Sequence, residues 1–554
     1  MGRQKLRVGL LINDYNVPLW EYKLVEKIMM SDHSEIVLVV RKKVGSNNKK
    51  EGKLKTLWKV RKNLLYLMHG KLESKLFKPS PNAFKNNDLR GLLSSPEIVV
   101  APKETKFSDI VNPDDIDQIK EKNIDVFIRF GFRILRGDIL NCAKYGVWSY
   151  HHGDNDVNRG GPPGVWEVYE NWPTTGAVLQ ILTEDLDGGL TLDKTYASTE
   201  SISINRNKNN YYWSASSLML RNLKNLHKKG GDLFMREVMD KNNVPMMYYN
   251  RLFVAPKNKE TLVSLIRIYL GILKGHIQRL FFFNQWVLMY NFEKKNQLSK
   301  SFFRFKRINP PKDRFWADPF VLERNAKHYI FFEELIYKNG RGNISVIELD
   351  EKGNYSEPQL VLEKEYHLSY PFIIEDKGDL WMIPETAENN QIELYKCEEF
   401  PLKWNLEKVL LENVVAVDST ILLHNGVYWL FCNVRENEGA STSNELFLYY
   451  ADSLVTSKWT AHTQNPIVSD VRYSRPAGKI FEYNGNLIRP SQNCAKHYGH
   501  GMQLQLIKTL TKENYQEVNL QSIYPNWSKD IQSTHTLNHS GKLTVIDALI
   551  KRRK

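Results

Sequence analysis

His151 and Asp187 stand 36 residues apart, framed by the RGGPP run that starts at Arg159 and the LDGG run that ends at Gly189. A histidine changes charge near neutral pH, and a nearby carboxylate sets which form it takes, so such a pair is suited to moving a proton. The spacing alone is a weak signal; the two Gly-containing runs make it more specific. A second group of residues lies in the last 250 or so positions. Similar stretches begin at Ala317, Ser369, Val417, Ser474 and Thr534. Aligning them puts Asp318, Tyr370, Asp418, Arg475 and His535 at one shared point. Paired carboxylates are what glycoside hydrolysis requires. Glu334 and Glu385, at the ends of second strands, are further carboxylates with no motif around them.

The elements that must hold these residues differ between the two halves. Leu6–Ile12 and residues 35–40 are short β-branched runs around an amphipathic stretch at 19–30, so the chain opens as strand, helix, strand. A Lys/Asn-rich insertion covers about 42–90, with a helix expected at 54–76, and a strand resumes at 97–101. Residues 125–130 read as a buried strand that ends at Gly131, with further strands at 146–150 and 176–182 and a helical pattern over 211–242. Residues 261–290 are apolar but broken by Arg267, Lys274, His276 and Arg279, so no uncharged run reaches the ~18 residues of a membrane span. They read as a helix packed between domains, or alternatively as an interfacial helix on anionic lipid.

In the second half each repeat pairs an apolar strand, a turn usually holding Asn or Gly, and another apolar strand, with a period of roughly 50 to 60 residues. One hairpin cannot bury both faces, whereas radial repetition leaves only short edges. Five repeats therefore predict five blades, with the strand from Gln285 available to complete the last. The predicted domains are residues 1–240, a helical basic and apolar linker at 241–284, and a propeller at 285–554.

The runs DVFIRFGFRILRGDIL, YGVWSYHHGDNDVNRGGPPGVWE and TTGAVLQILTEDLDGG resemble, in that order, the core of methionyl-tRNA, glycinamide-ribonucleotide and sugar-amine formyltransferases. The resemblance covers about 65 residues and, with the wound α/β pattern, roughly the first 240. It implies catalytic His151 and Asp187, an Arg159-Gly160 and Pro163 substrate element, and a cofactor loop of Phe130, Gly131, Phe132, Arg133 and Leu135. It also implies N10-formyltetrahydrofolate as co-substrate and an attacking amine, with an oxyanion to be stabilised. The family's Asn is Ser149 here. Three readings stay open: Ser149 acts through a shifted backbone or a water, His152 or Asn155 supplies the donor, or formyl transfer has been lost.

The ADPF run at Ala317 resembles the first blade of five-bladed arabinanase, xylosidase and fructosidase-type enzymes, which implies Asp318 as base or nucleophile and Asp418 as a second carboxylate. Their Glu-Gly-Pro acid motif is not at the equivalent turns. The repeats also resemble the propeller of plant glucosaminyl inositolphosphorylceramide transferases.

Composition bounds the rest. The 554 residues are 42% hydrophobic and 25% charged, with a mean hydropathy of -0.46, which argues for two or three globular domains rather than an integral membrane protein. Cys142, Cys397, Cys432 and Cys494 show no metal-ligand spacing, so no metal is predicted. No signal-peptide pattern opens the chain, and a cytoplasmic protein is expected, with the inner membrane face as a peripheral alternative. The net charge of +14 concentrates at 41–78 and 257–300, away from any nucleic-acid motif.

The expectation is thus a multidomain chain, an α/β formyltransferase-like wound sheet followed by an all-β five-bladed propeller. It would formylate an amino sugar or sugar nucleotide in surface polysaccharide biosynthesis while the propeller binds the glycan. The alternatives are a non-formylating protein that binds or transfers glycan, and a propeller glycosidase using Asp318 and Asp418.

Overall fold

The computed structural model describes residues 3–43, 58–185 and 188–554. Two compact units divide the chain: residues 1–270 with 437–440, and residues 271–436 with 441–554.

The first unit is built on a seven-stranded sheet. Its strands are β1 (Leu6–Ile12), β2 (Ser34–Lys42), β3 (Glu97–Val100), β4 (Val126–Arg129), β5 (Val147–His151), β6 (Thr174–Ile181) and β7 (Leu190–Ser198), in the order β7-β6-β5-β4-β1-β2-β3. The five from β3 to β5 are parallel, and β6 and β7 are antiparallel. Continuous runs such as VGLLI and VFI fit a sheet buried on both faces. Val8, Leu10 and Ile128 pack toward one side with α1 (Leu19–Met29), while Leu11 and Phe127 pack toward the other with α2 (Pro113–Lys120). Strand order reverses between β1 and β4, and ligands of such sheets bind outside the carboxyl ends of strands at that point.

The helical pattern at 211–242 is two helices, α3 (Ile204–Lys229) and α4 (Gly231–Lys241), broken at Gly230 with φ +82. The insertion contributes a helix at Leu64–Leu76, shorter than the expected 54–76; residues 54–57 lie outside the described residues. Its Glu73 carboxylate accepts the backbone N–H groups of Ile204 (3.1 Å) and Asn205 (2.9 Å). An acid there satisfies two orphan donors and complements the helix dipole. The predicted linker is mostly one helix, α5 (Asn258–Phe281).

The second unit is five antiparallel sheets in succession. Strand β8 (Phe282–Phe292) opens it and pairs with the final strand, Leu543–Arg553, over its whole length, so the first strand completes the last sheet. The remaining sheets start at Arg314–Arg324, Ser369–Asp376, Ala416–His424 and Phe481–Tyr483. Apolar side chains such as Phe331, Phe372, Leu430 and Ile546 are buried between sheets.

Candidate functional site

The aligned polar residues of the repeats share a backbone feature. In three successive sheets the pairing of the first two strands skips two residues, between Ala317 and Phe320, Ser369 and Phe372, and Val417 and Thr420. The residue that opens each gap, Asp318, Tyr370 or Asp418, has positive φ of 50, 44 and 53. A bulge releases a residue from the ladder and re-aims its side chain. Left-handed backbone is costly for a bulky residue such as tyrosine, so its recurrence marks a site that the surrounding structure holds in place.

These side chains meet. Asp318 accepts hydrogen bonds from Thr536 Oγ1 (2.7 Å) and lies 3.1 Å from His535 Nε2, while the other His535 nitrogen is 2.7 Å from Asp547. Each imidazole nitrogen thus faces one carboxylate. Burial opposes the charge on His535, but Asp547 and Asp318 hold it protonated well above the usual range. Burial likewise opposes ionisation of Asp318, yet the His535 charge and the Thr536 bond keep it below the usual carboxylate range. Asp318, His535 and Asp547 also offer ligand atoms within 4.8 Å of one another.

Arg475 donates from Nε to Asp418 Oδ2 (2.5 Å) and from its terminal nitrogen to Asp418 Oδ1 (3.3 Å) and Glu385 (3.5 Å); Gln492 also donates to Asp418 (2.8 Å). Tyr370 accepts the Gly478 N–H at 2.7 Å and shares a bond with Thr420. His367 pairs with Glu333 at 3.2 Å. Carboxyl groups outnumber cations here, so protons must be retained. Glu385 is raised well above the carboxylate range by burial and by the Asp418 charge, against which Arg475 acts. Asp418 is also raised by burial, with Arg475 opposing. Tyr498, 45% exposed, lies over the Arg475 guanidinium (4.8 Å) and edge-on to His535 (5.2 Å). It gives the cluster an aromatic face open to solvent.

Thr420 also donates to the Asp418 carbonyl (3.4 Å), and Tyr498 touches both Arg475 and His535, so all five aligned residues and Glu385 belong to one connected network. Both oxygens of Asp418, the expected second carboxylate, accept hydrogen bonds from Arg475 or Gln492. Glu334 is tied to Arg314, Trp316 and Ser345. Glu333, His367, Tyr498 and Asp547 were missed, because they sit off the aligned position.

In the first unit a cavity of about 270 Å³ is lined by Trp20, Glu21, Arg129, Phe130, Ser149, His152 and Tyr212, among others. It adjoins the last residue of β4 and the end of β5. The Ser149 hydroxyl accepts from Arg129 at 3.1 Å. His152 is stacked between Tyr212 (3.6 Å) and Tyr150 (5.6 Å), and this enclosure pushes its pKa well below normal. Burial raises Glu21 to about 8. His151 turns elsewhere, with Nε2 3.0 Å from the Asn158 carbonyl. Asn155 is buried, and its carbonyl accepts from Arg159. Asp187 lies outside the described residues.

Several residues expected to meet ligand make contacts within the unit. Arg159 lies over the Tyr248 ring, and Gly160, with φ +103, pairs with Phe253, whose carbonyl a Cβ would meet at 2.2 Å. Backbone pairing at positive φ demands that glycine. Arg133 is bound to Asp109 and to the Thr105 and Ser108 carbonyls. Phe132 and Leu135 are core residues, and a Cβ on Gly131 would strike Asn13. Of that loop, Phe130 lines the cavity.

Residues 307–544 match the family described as glucosamine inositolphosphorylceramide transferase 1, N-terminal. That stretch spans the aligned residues of the network. Proteins named glucosamine inositolphosphorylceramide transferase 1 from Arabidopsis thaliana and from Oryza sativa subsp. japonica are 37% and 34% identical over 207 residues, 37% of this chain. The match amounts to 27% and 28% of the relatives' own length. A family 117 glycoside hydrolase from Zobellia galactanivorans superposes with a TM-score of 0.32 and 11% identity, over 49% of this chain and 90% of that one. A β-xylosidase gives 0.31 and 16%, over 43% and 93%.

Proposed function

We propose that this chain makes or breaks a glycosidic bond at the bulge-built cluster of the second unit, on a glucosamine-containing glycan or glycolipid. The observation that carries the reading is the cluster itself, in which the bulges bring the carboxyls Asp318 and Asp418, with Glu385, around His535 and Arg475 beside the exposed Tyr498. The His535 charge draws Asp318 below the usual carboxylate range while burial and the Asp418 charge push Glu385 above it, and environments that push two carboxyls apart assign a base and an acid. The Glu385 proton passes to the glycosidic oxygen as the bond from the anomeric carbon to that oxygen breaks. The Asp318 carboxylate takes the proton of the incoming hydroxyl, an alcohol for transfer or water for hydrolysis. Asp418 positions Arg475, and Tyr498 offers its ring to the sugar's apolar face. The names of the matched relatives favour transfer. Asp318→Asn and Glu385→Gln are each expected to lower turnover by about a hundredfold or more; Glu385→Gln should keep the melting temperature, whereas Asp318→Asn, which leaves the buried His535 charge one partner short, should lower it. Full turnover in both variants would remove the reading.

A second reading, formyl transfer from N10-formyltetrahydrofolate in the first unit, is favoured by the cavity that gathers Ser149, His152 and Arg129. Formyl-folate consumption with amino sugars, lost in His152→Ala, tests it. The glycan reading stands independently of the result.

A further inference from the structure

Two helices of the first unit carry their amphipathicity inside out. In Leu64–Leu76 the buried residues are His69 and Glu73, while Leu67, Met68, Leu72 and Leu76 are exposed. The polar inner face has assigned work, since Glu73 caps α3 and His69 meets the Tyr169 hydroxyl at 3.3 Å. In the part of α5 up to Leu270, the buried residues are Thr261, Ser264 and Ile268, and the exposed ones include Leu262, Val263, Ile266 and Tyr269. Ser264 and Arg267 bond to the Tyr169 carbonyl, so both helices lean on the same residue. Their N-terminal ends are tied together: Asn258 accepts the Leu65 N–H and donates to the Arg61 carbonyl. Met246, Met247, Tyr249, Leu252 and Val254, on the segment leading into α5, are exposed as well.

Water-facing apolar residues in this number mark an interaction surface. The charge around them selects its partner. Lys62, Lys71, Lys75, Lys257 and Lys259 are exposed on the same two segments. The acids there are engaged: Glu73 is buried, and Glu260 bonds the Lys257 N–H and Arg251. Basic residues bordering leucines, isoleucines and a tyrosine fit the boundary between anionic headgroups and acyl chains. Among the described residues no helix is long and apolar enough to cross a membrane, and this surface would lie on one.

We propose that the exposed faces of Leu64–Leu76 and the first half of α5 dock the protein on an anionic lipid bilayer. This inference does not depend on the chemistry of the second unit. The test is co-sedimentation of the full chain with phosphatidylcholine vesicles, with and without a one-fifth share of phosphatidylserine. Binding is expected to the mixed vesicles, to weaken with added salt, and to fall at least tenfold in Leu262→Glu/Ile266→Glu and in Leu72→Glu. These positions are exposed, so an unchanged circular dichroism melt should accompany the loss. Failure to bind either vesicle, or unchanged binding in both variants, overturns the proposal. Self-association without vesicles that the same substitutions abolish also overturns it and makes a second copy the occupant.

Discussion

Glu21 illustrates how one buried group shapes behaviour. It sits on the inward face of α1 with Trp20, Leu24 and Val25, and its carboxyl keeps its proton to about pH 8 because burial penalises the anion. The folded state then binds more protons than the unfolded state between about pH 4.5 and 8. Stability contributed by the neutral form is present at acidic pH and falls as pH rises through that window, by up to about 5 kcal/mol. Glu21→Gln should flatten this decline, so its melting temperature exceeds that of the parent at pH 9 and matches it near pH 5. In the second unit, Tyr370→Phe would leave the buried Gly478 N–H without its acceptor. A cost of about 1–3 kcal/mol is expected, read as a lower urea midpoint. Neither role was legible in the sequence. Glu21 reads as one polar residue on an amphipathic helix, and Tyr370 was placed at the shared point without any hint of its partner.

At the scale of elements, the bulges explain why residues with polar groups, Asp318, Tyr370 and Asp418, recur where strands would otherwise be apolar. Asp418 has φ +53, a conformation that Asn shares readily and a β-branched residue resists. Asp418→Asn should therefore retain the fold, whereas Asp418→Val should lower the melting temperature as well as activity. The strand–turn–strand units were legible because their apolar alternation and Asn or Gly turns are local. The register skips were not, since they exist only once two strands pair. The same limit applies to Gly160, whose partner Phe253 is distant in sequence, and to His151 and His152, whose opposite orientations follow from how β5 ends.

At the scale of the whole molecule, the pairing of β8 with the final strand is the long-range contact that closes the second unit. Ile546, fully buried in that strand, should cost about 2–5 kcal/mol when replaced by Ala, and a lowered melting temperature would show it. Five repeats and this closure were readable in the sequence, as was the strand–helix–strand opening of the first unit. What the chain does was less readable, because RGGPP and its neighbours draw attention to the first unit while the buried ionised network assembles in the second. The most direct test of that network is turnover of glucosamine-containing glycolipids by the full chain and by Glu385→Gln, followed across pH. Activity in the parent whose alkaline limb disappears together with the bulk of the rate in Glu385→Gln is the predicted result. An unchanged rate and an unchanged pH profile in that variant would contradict it.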